Sequence, residues 1–269
     1  MNILDTIIEY KRKEVAERKA AVPAAALEKG IFFSREPLSL KAALRDPDST
    51  GIIAEFKRRS PSKGVINDKV SVGEVTRGYT AGGAACLSVL TDQHFFGGDD
   101  GDLVAARVNG IPILRKEFIV EEYQILEARA IGADVILLIA ACLSPAEVRR
   151  LAVFARSIGL EVLLEIHGEE ELAHICEETE LVGVNNRDLK TFTVDVERSI
   201  RLSRRIPAGK LLIAESGISR VQTILQMKEA GFSGFLIGES FMKAEDPGAA
   251  FRQFVGELKE QSKPSGARL

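Results

Sequence analysis

The apolar run GIIAEFK, beginning at Gly51, ends on two charges, Glu55 and Lys57, and the loop RRSPSKG follows at once. Side chains alternate along a strand, so Glu55 and Lys57 share one face and Phe56 takes the other. A carboxylate beside an ammonium at a strand end can exchange protons with a ligand. The same feature recurs at Arg115-Lys116-Glu117, Glu165-Ile166-His167, Asn185-Asn186-Arg187 and Glu215-Ser216-Gly217. One such group alone is ordinarily a structural ion pair. The set, at the same end of successive strands, points to acid–base chemistry without a metal. Lysine competes for the carboxylates, and His94, His167 and His174 show no ligand spacing, so all three are read as structural. Partial burial is expected to lower the lysine pKa values and neighbouring lysines those of the glutamates. Lys57 is expected to lower Lys116 by like-charge repulsion, with Glu55 partly offsetting it.

Those strand ends need a scaffold that gathers them. Apolar runs recur at Ile52–Lys57, Ala84–Leu90, Ile111–Lys116, Val135–Ala140, Leu160–Ile166, Leu181–Asn185, Leu211–Glu215 and Gly234–Gly238. Between them lie amphipathic stretches such as SVGEVTRGYTAGG, VEEYQILEARAIGA and LSPAEVRRLAVFARSIG; the last opens on Ser144-Pro145, an N-cap with proline in the first turn. Strands alternating with helices imply parallel pairing and right-handed crossovers, and eight such units close into a (β/α)8 TIM barrel. An open doubly wound sheet is the runner-up, but it would ordinarily carry a glycine fingerprint after its first strand. Residues 1–269 are read as one barrel domain, with residues 1–48 as an N-terminal helical extension and a fraying polar tail, EQSKPSGARL.

In a barrel the C-terminal strand ends converge on one mouth. The turns AESGIS and LIGES follow the seventh and eighth strands, the usual place for a phosphate in this fold, with helix N-termini behind them. Composition excludes other classes. The net charge is −3 over 269 residues, which leaves no basic excess for nucleic acid or anionic membrane, and no apolar run is long enough to span a bilayer. Cys86, Cys142 and Cys176 share no CxxC spacing and read as thiols of a reducing compartment.

AEFKRRSPSKG, ILRKEFIV, LLEIHGEEEL, GVNNRDL, IAESGI and FLIGESFM, in that order, resemble the indole-3-glycerol phosphate synthase family over nearly the whole chain. The resemblance implies a cytoplasmic, cofactor-independent carboxy-lyase of tryptophan biosynthesis. Its substrate is the small phosphorylated molecule 1-(2-carboxyphenylamino)-1-deoxyribulose 5-phosphate. Association with other enzymes of the pathway is left open. By position, Lys116 matches the general acid of ring closure, Glu165 the acid/base partner of dehydration, and Lys57 the lysine beside the substrate carboxylate. Glu55, Asn185 and Glu215 match the surrounding polar shell. Ser60, Arg187, Ser216, Gly217, Gly238 and Glu239 fall on ligand-contacting positions, phosphate among them. Phe96, Phe118, Leu137, Leu189 and Leu236 match the apolar walls around the anthranilate ring. Two departures stand out: the acidic FFGGDDGDL loop, and Glu239 where serine or threonine is frequent, expected to turn its side chain away from phosphate. A sugar-phosphate isomerase of the phosphoribosylanthranilate type would carry a Cys/Asp pair at the first and fifth strand ends. A non-catalytic phosphate-binding barrel would lack Lys116 or Glu165.

Overall fold

The computed structural model describes residues 3–188 and 193–262; Leu189 and residues 263–269 of the tail lie outside them. Eight parallel strands close into a barrel in chain order, the first pairing with the last. They are β1 (Ile52–Phe56), β2 (Cys86–Leu90), β3 (Ile113–Lys116), β4 (Val135–Ile139), β5 (Glu161–Ile166), β6 (Leu181–Asn185), β7 (Leu211–Glu215) and β8 (Phe232–Ile237). Helix α1 (Ile3–Ala21) precedes them. Seven more helices alternate with the strands: α2 (Val72–Ala81), α3 (Asp100–Ala106), α4 (Glu122–Ile131), α5 (Pro145–Ser157), α6 (Val196–Ser203), α7 (Val221–Glu229) and α8 (Pro247–Gln261). Ser144 and Glu147 cap α5 reciprocally, with Pro145 in the first turn. After β5 the helical repeat is replaced by a 3-10 segment, Glu169–His174. His174 fixes this turn from within, with one ring nitrogen 3.0 Å from the Glu171 carbonyl and the other 2.9 Å from that of Leu143.

Alternation along each strand divides the core in two. Ile52, Ala54 and Phe56 of β1 pack outward with the helices, whereas Ile53 faces the barrel interior with Leu114, Leu137, Leu163, Ile213 and Leu236. Leu40 and Leu44, from the short helix Leu40–Arg45, join that interior cluster. Apolar layers therefore fill the barrel, and the next inward positions on β1, β3, β5, β6 and β7 are Glu55, Lys116, Glu165, Asn185 and Glu215. The register pairs Ile139 with Glu165, Glu165 with Gly183 and Asn185 with Glu215, so the polar positions step around the mouth from strand to strand.

Helix α1 packs across the mouth through Ile7, Lys11 and Val15, a stripe at i, i+4, i+8 whose middle member is charged. The Lys11 side chain is 0% exposed, with its ammonium 2.5 Å from Glu14, 2.8 Å from Asp92 and 3.0 Å from Glu117. Burial opposes the charge, but Glu117 and Asp92 hold this lysine above its ordinary pKa. Asp92 also accepts from the backbone N–H groups of Phe95 and Phe96, and Glu117 from that of Phe118. One buried ammonium thus ties α1 to the segments that follow β2 and β3.

Removing one partner of a buried ion cluster leaves the others uncompensated. Lys11→Met is expected to cost on the order of 3–5 kcal/mol, read as a lower midpoint of denaturant unfolding. A loss below about 1 kcal/mol, the range of exposed pairs, would show that α1 is held by its apolar contacts alone.

Candidate active site

The mouth of the barrel encloses a cavity of about 1450 Å3, roofed on one side by Ile3, Leu4 and Ile7 of α1. At its floor, Lys116 Nζ lies 3.5 Å from Glu165 Oε2 and 4.0 Å from Glu215 Oε2, with the lysine side chain 18% exposed. The other oxygen of Glu165 faces Asn185 Nδ2 at 3.0 Å and His167 Nε2 at 3.1 Å. Lys57 pairs with Glu55 at 2.6 Å. Two glycines make room for these acids. A methyl group at 183 on β6 would collide with Glu215 Oε1, and one at 238, just beyond β8, would come within 2.6 Å of Glu55 Oε1.

The electrostatics differ from the expectation for lysine. Burial would lower the Lys116 pKa, but Glu165, Glu215 and Glu55 together raise it above the ordinary lysine value. Lys57 does not supply the expected repulsion because its charge is taken up by Glu55. The two buried glutamates split. Burial opposes ionisation of Glu165, yet Lys116, His167 and Asn185 hold it well below the usual carboxylate range. Glu215 goes the other way, as burial and the neighbouring Glu165 charge outweigh Lys116 and push it well above that range. Around a charged ammonium the two carboxyls are thus pushed in opposite directions, Glu165 toward the ionised form and Glu215 toward the protonated one.

The rim supplies the other chemistry. Phe96 and Phe118 stand 5.9 Å apart between ring centroids and, with Ile139 and Leu236, form the apolar wall. Leu137 is not part of that wall. It pairs in register with Leu163, one layer below the Ile139–Glu165 level, so it packs in the interior and Ile139 is the β4 side chain that reaches the cavity. Ser60, Arg187, Ser216, Gly217, Gly238 and Glu239 all line the mouth. Ser216 adopts φ 67°, the left-handed region uncommon for a residue with a side chain, and its carbonyl accepts from Asn186 Nδ2 at 2.8 Å. Ser240 Oγ donates to the Ile218 carbonyl at 3.1 Å and so joins the loops after β7 and β8.

Both departures noted in the sequence have physical partners. The acids of the 99–102 loop face away from the cavity. Asp99 caps α3 through Gly101 N–H at 2.7 Å, Asp100 pairs with Arg115 at 2.8 Å, and Asp102 receives Arg58. Glu239 is tied to the neighbouring cations. It lines the mouth, with its carboxylate 2.5 Å from Lys243 and 3.6 Å from Arg187, because it opens the short helix Glu239–Met242 one turn ahead of Lys243.

Sequence reasoning passed over His167, Arg198 and Lys243, which also line the cavity. His167 was read as structural, yet its ring stands between Glu165 and Glu171, and burial, which would discharge it, is outweighed by these two carboxylates, so its pKa is raised to about 10. The placement of His167 two residues beyond Glu165, on the same strand face, was the available signal. Among the described residues, no group of three or more histidine, cysteine, aspartate or glutamate side chains is arranged to hold a metal ion, and no helix is long and apolar enough to cross a membrane.

Residues 4–254 match the family model described as indole-3-glycerol phosphate synthase. A protein of that name from Bacteroides thetaiotaomicron is 48% identical over 255 residues, covering 94% of this chain and 98% of the relative. Its namesake from Polaromonas sp. is 44% identical over 260 residues, covering 95% and 98%. That from Chromobacterium violaceum is 45% identical over 254 residues, covering 93% and 96%.

The split between the two glutamates has a thermodynamic sign. Glu215 is held above its ordinary pKa in the fold, whereas an unfolded glutamate loses its proton above about pH 4.3. Its contribution is therefore fully present below that pH and is lost as pH rises toward the raised folded value. Glu215→Gln, which mimics the protonated acid, should gain on the wild-type protein in Tm between pH 4 and pH 7. An equal Tm difference at both pH values would mean that the fold leaves the Glu215 pKa unshifted.

Proposed function

The chain belongs to the indole-3-glycerol phosphate synthase family, and on that premise we propose how its mouth converts 1-(2-carboxyphenylamino)-1-deoxyribulose 5-phosphate to indole-3-glycerol phosphate, CO2 and water. One observation carries the assignment of roles: the Lys116 ammonium is held charged among carboxylates at the floor, directly below an aromatic wall on one side and a cationic rim on the other. The anthranilate ring lies against Phe96, Phe118, Ile139 and Leu236. The phosphate lies at the loops of Ser216–Gly217 and Gly238–Glu239, with Arg187 and Lys243 beside them. Lys57 faces the substrate carboxylate, and Ser60 closes the loop next to it.

The chemistry follows from the donors at the floor. The ring carbon that bears the carboxylate attacks the ketone carbon, and Lys116 gives its proton to the ketone oxygen. An alkoxide is a far stronger base than an amine, so a raised lysine pKa does not hinder this transfer and keeps the acid loaded at neutral pH. Attack interrupts the aromatic ring. Loss of CO2 restores it, as the electrons of the carbon–carbon bond return to the ring. The hydroxyl then leaves as water with a proton, and a ring proton departs to complete the indole. Glu165 serves this dehydration. Asn185 orients Glu165, and Glu55 and Glu215 fix Lys57 and Lys116. The three free cysteines fit a cytoplasmic enzyme in a reducing compartment.

Incubation of the protein with the carboxyphenylamino-deoxyribulose phosphate should produce indole fluorescence; a folded protein that gives none would overturn the assignment. Lys116→Met should lower kcat by at least about 10²-fold with a smaller change in KM, and Lys116→Arg should not rescue it, because guanidinium is a poor proton donor. Lys57→Met should act mainly on KM. Near-normal kcat in Lys116→Met with activity abolished in Lys57→Met would transfer the first acid to Lys57. Glu239 competes with the phosphate for Arg187 and Lys243, so Glu239→Ser should leave KM similar or modestly lower; a large rise would give the carboxylate a binding role of its own.

A further inference from the structure

The reaction consumes a proton that none of the residues assigned above can replace. The substrate enters with a carboxylate and that carbon leaves as neutral CO2. One proton goes to the ketone oxygen, a second leaves with the hydroxyl as water, and only one comes back from the ring. Each turnover therefore draws a net proton from solvent into the cavity.

His167 is built to hold that proton. It follows β5, and its ring is 10% exposed, with both nitrogens shielded from bulk water. Nε2 is 3.1 Å from Glu165 Oε1, and Nδ1 is 3.5 Å from Glu171 Oε2. Glu171 is itself anchored, accepting from the His167 backbone N–H at 2.5 Å. The groups around the pair are Lys116, Asn185 and Glu215 on the cavity side and Glu171 on the other. An imidazole between two carboxylates rests as imidazolium, and burial alone would have removed that charge.

Resting on the reaction proposed above, we propose that His167 is a proton relay which charges Glu165 between ring closure and dehydration. The trigger is Lys116. While its ammonium is charged, Glu165 stays ionised. Once Lys116 has given its proton to the ketone oxygen, that stabilisation disappears and Glu165 becomes the stronger base. His167 then transfers its Nε2 proton to Glu165 Oε1, leaving a neutral ring whose Nδ1–H faces Glu171. Glu165, now a carboxylic acid, protonates the departing hydroxyl and returns to carboxylate. The neutral Lys116 amine collects the ring proton and becomes ammonium again. After product leaves, water in the open mouth protonates Glu165, which returns the proton to Nε2 across the 3.1 Å contact. Lys116 and Glu165 end each cycle as they began, and the single proton lost by His167 is the one drawn from solvent.

The test separates CO2 release from indole formation at pH 8. In His167→Gln, which keeps an amide where the ring was but cannot titrate, CO2 release should keep near its normal rate. Indole fluorescence should lag, slowed on the order of 10²-fold, and small protonated buffers such as imidazole or methylamine should restore it. Glu171→Gln keeps the ring but releases Nδ1, and should show the same lag at smaller amplitude. Three results would overturn the relay: CO2 and indole slowed together, no lag in either variant, or a lag that buffers do not relieve. Failure of the wild-type protein to release CO2 from this substrate would instead sink the reaction, whereas wild-type turnover with no lag in the variants sinks the relay alone.

Discussion

One ammonium at the barrel floor sets the state of everything around it. Lys116 stands between Glu165 and Glu215, and its charge decides which of the two acids keeps a proton. Without it, two carboxyls at this depth would both be driven toward the neutral form by burial. With it, the nearer and better hydrogen-bonded acid, Glu165, is favoured as carboxylate, while Glu215 is pushed toward the protonated form. Strand register and side-chain alternation point Glu165, Asn185 and Glu215 into the same mouth, with Asn185 opposite Glu215 and Gly183 opposite Glu165.

The scaffold serves this arrangement at both ends. Below, apolar layers fill the barrel and leave water no route to the floor from that side. Above, α1 lies across the mouth and is fastened by Lys11 to Asp92 and Glu117. Those two acids also hold the backbone of Phe96 and Phe118. The apolar wall and Lys116, which sits next to Glu117 in the chain, are therefore positioned by the same buried charge. Arg115, on the other side of Lys116, points outward and meets Asp100, so the lysine is flanked by two anchored neighbours. Anchoring of this kind suits chemistry in which proton donors and acceptors must be held in a fixed geometry.

Much of this was legible in the sequence, for a physical reason. Charges at strand ends break an apolar pattern and have no use there unless the ends converge, so Glu55, Lys57, Lys116, Glu165, Asn185 and Glu215 announced themselves. What depended on depth or on distant partners did not. Leu137 and Ile139 lie on the same face of β4, and only the stagger between neighbouring strands tells which one reaches the cavity. Lys11 sits in the run EYKRKEV, where a solvated helix face is the natural expectation, and its partners just beyond β2 and β3 are remote in sequence. His167 gains its meaning from the turn that brings Glu171 back against its ring. The sign of the Lys116 shift needed the geometry as well, because like charge and unlike charge were both present and only distances decide between them.

The most direct measurement is the titration of Glu165 and Glu215 individually, followed by the side-chain carboxyl carbon resonances of glutamate-labelled protein in the ligand-free state. The account predicts that Glu165 stays ionised to a pH well below the usual carboxylate range while Glu215 remains protonated at neutral pH. The two are also predicted to move toward each other in Lys116→Met. Two glutamates that titrate together near the ordinary value, indifferent to the charge at position 116, would contradict it.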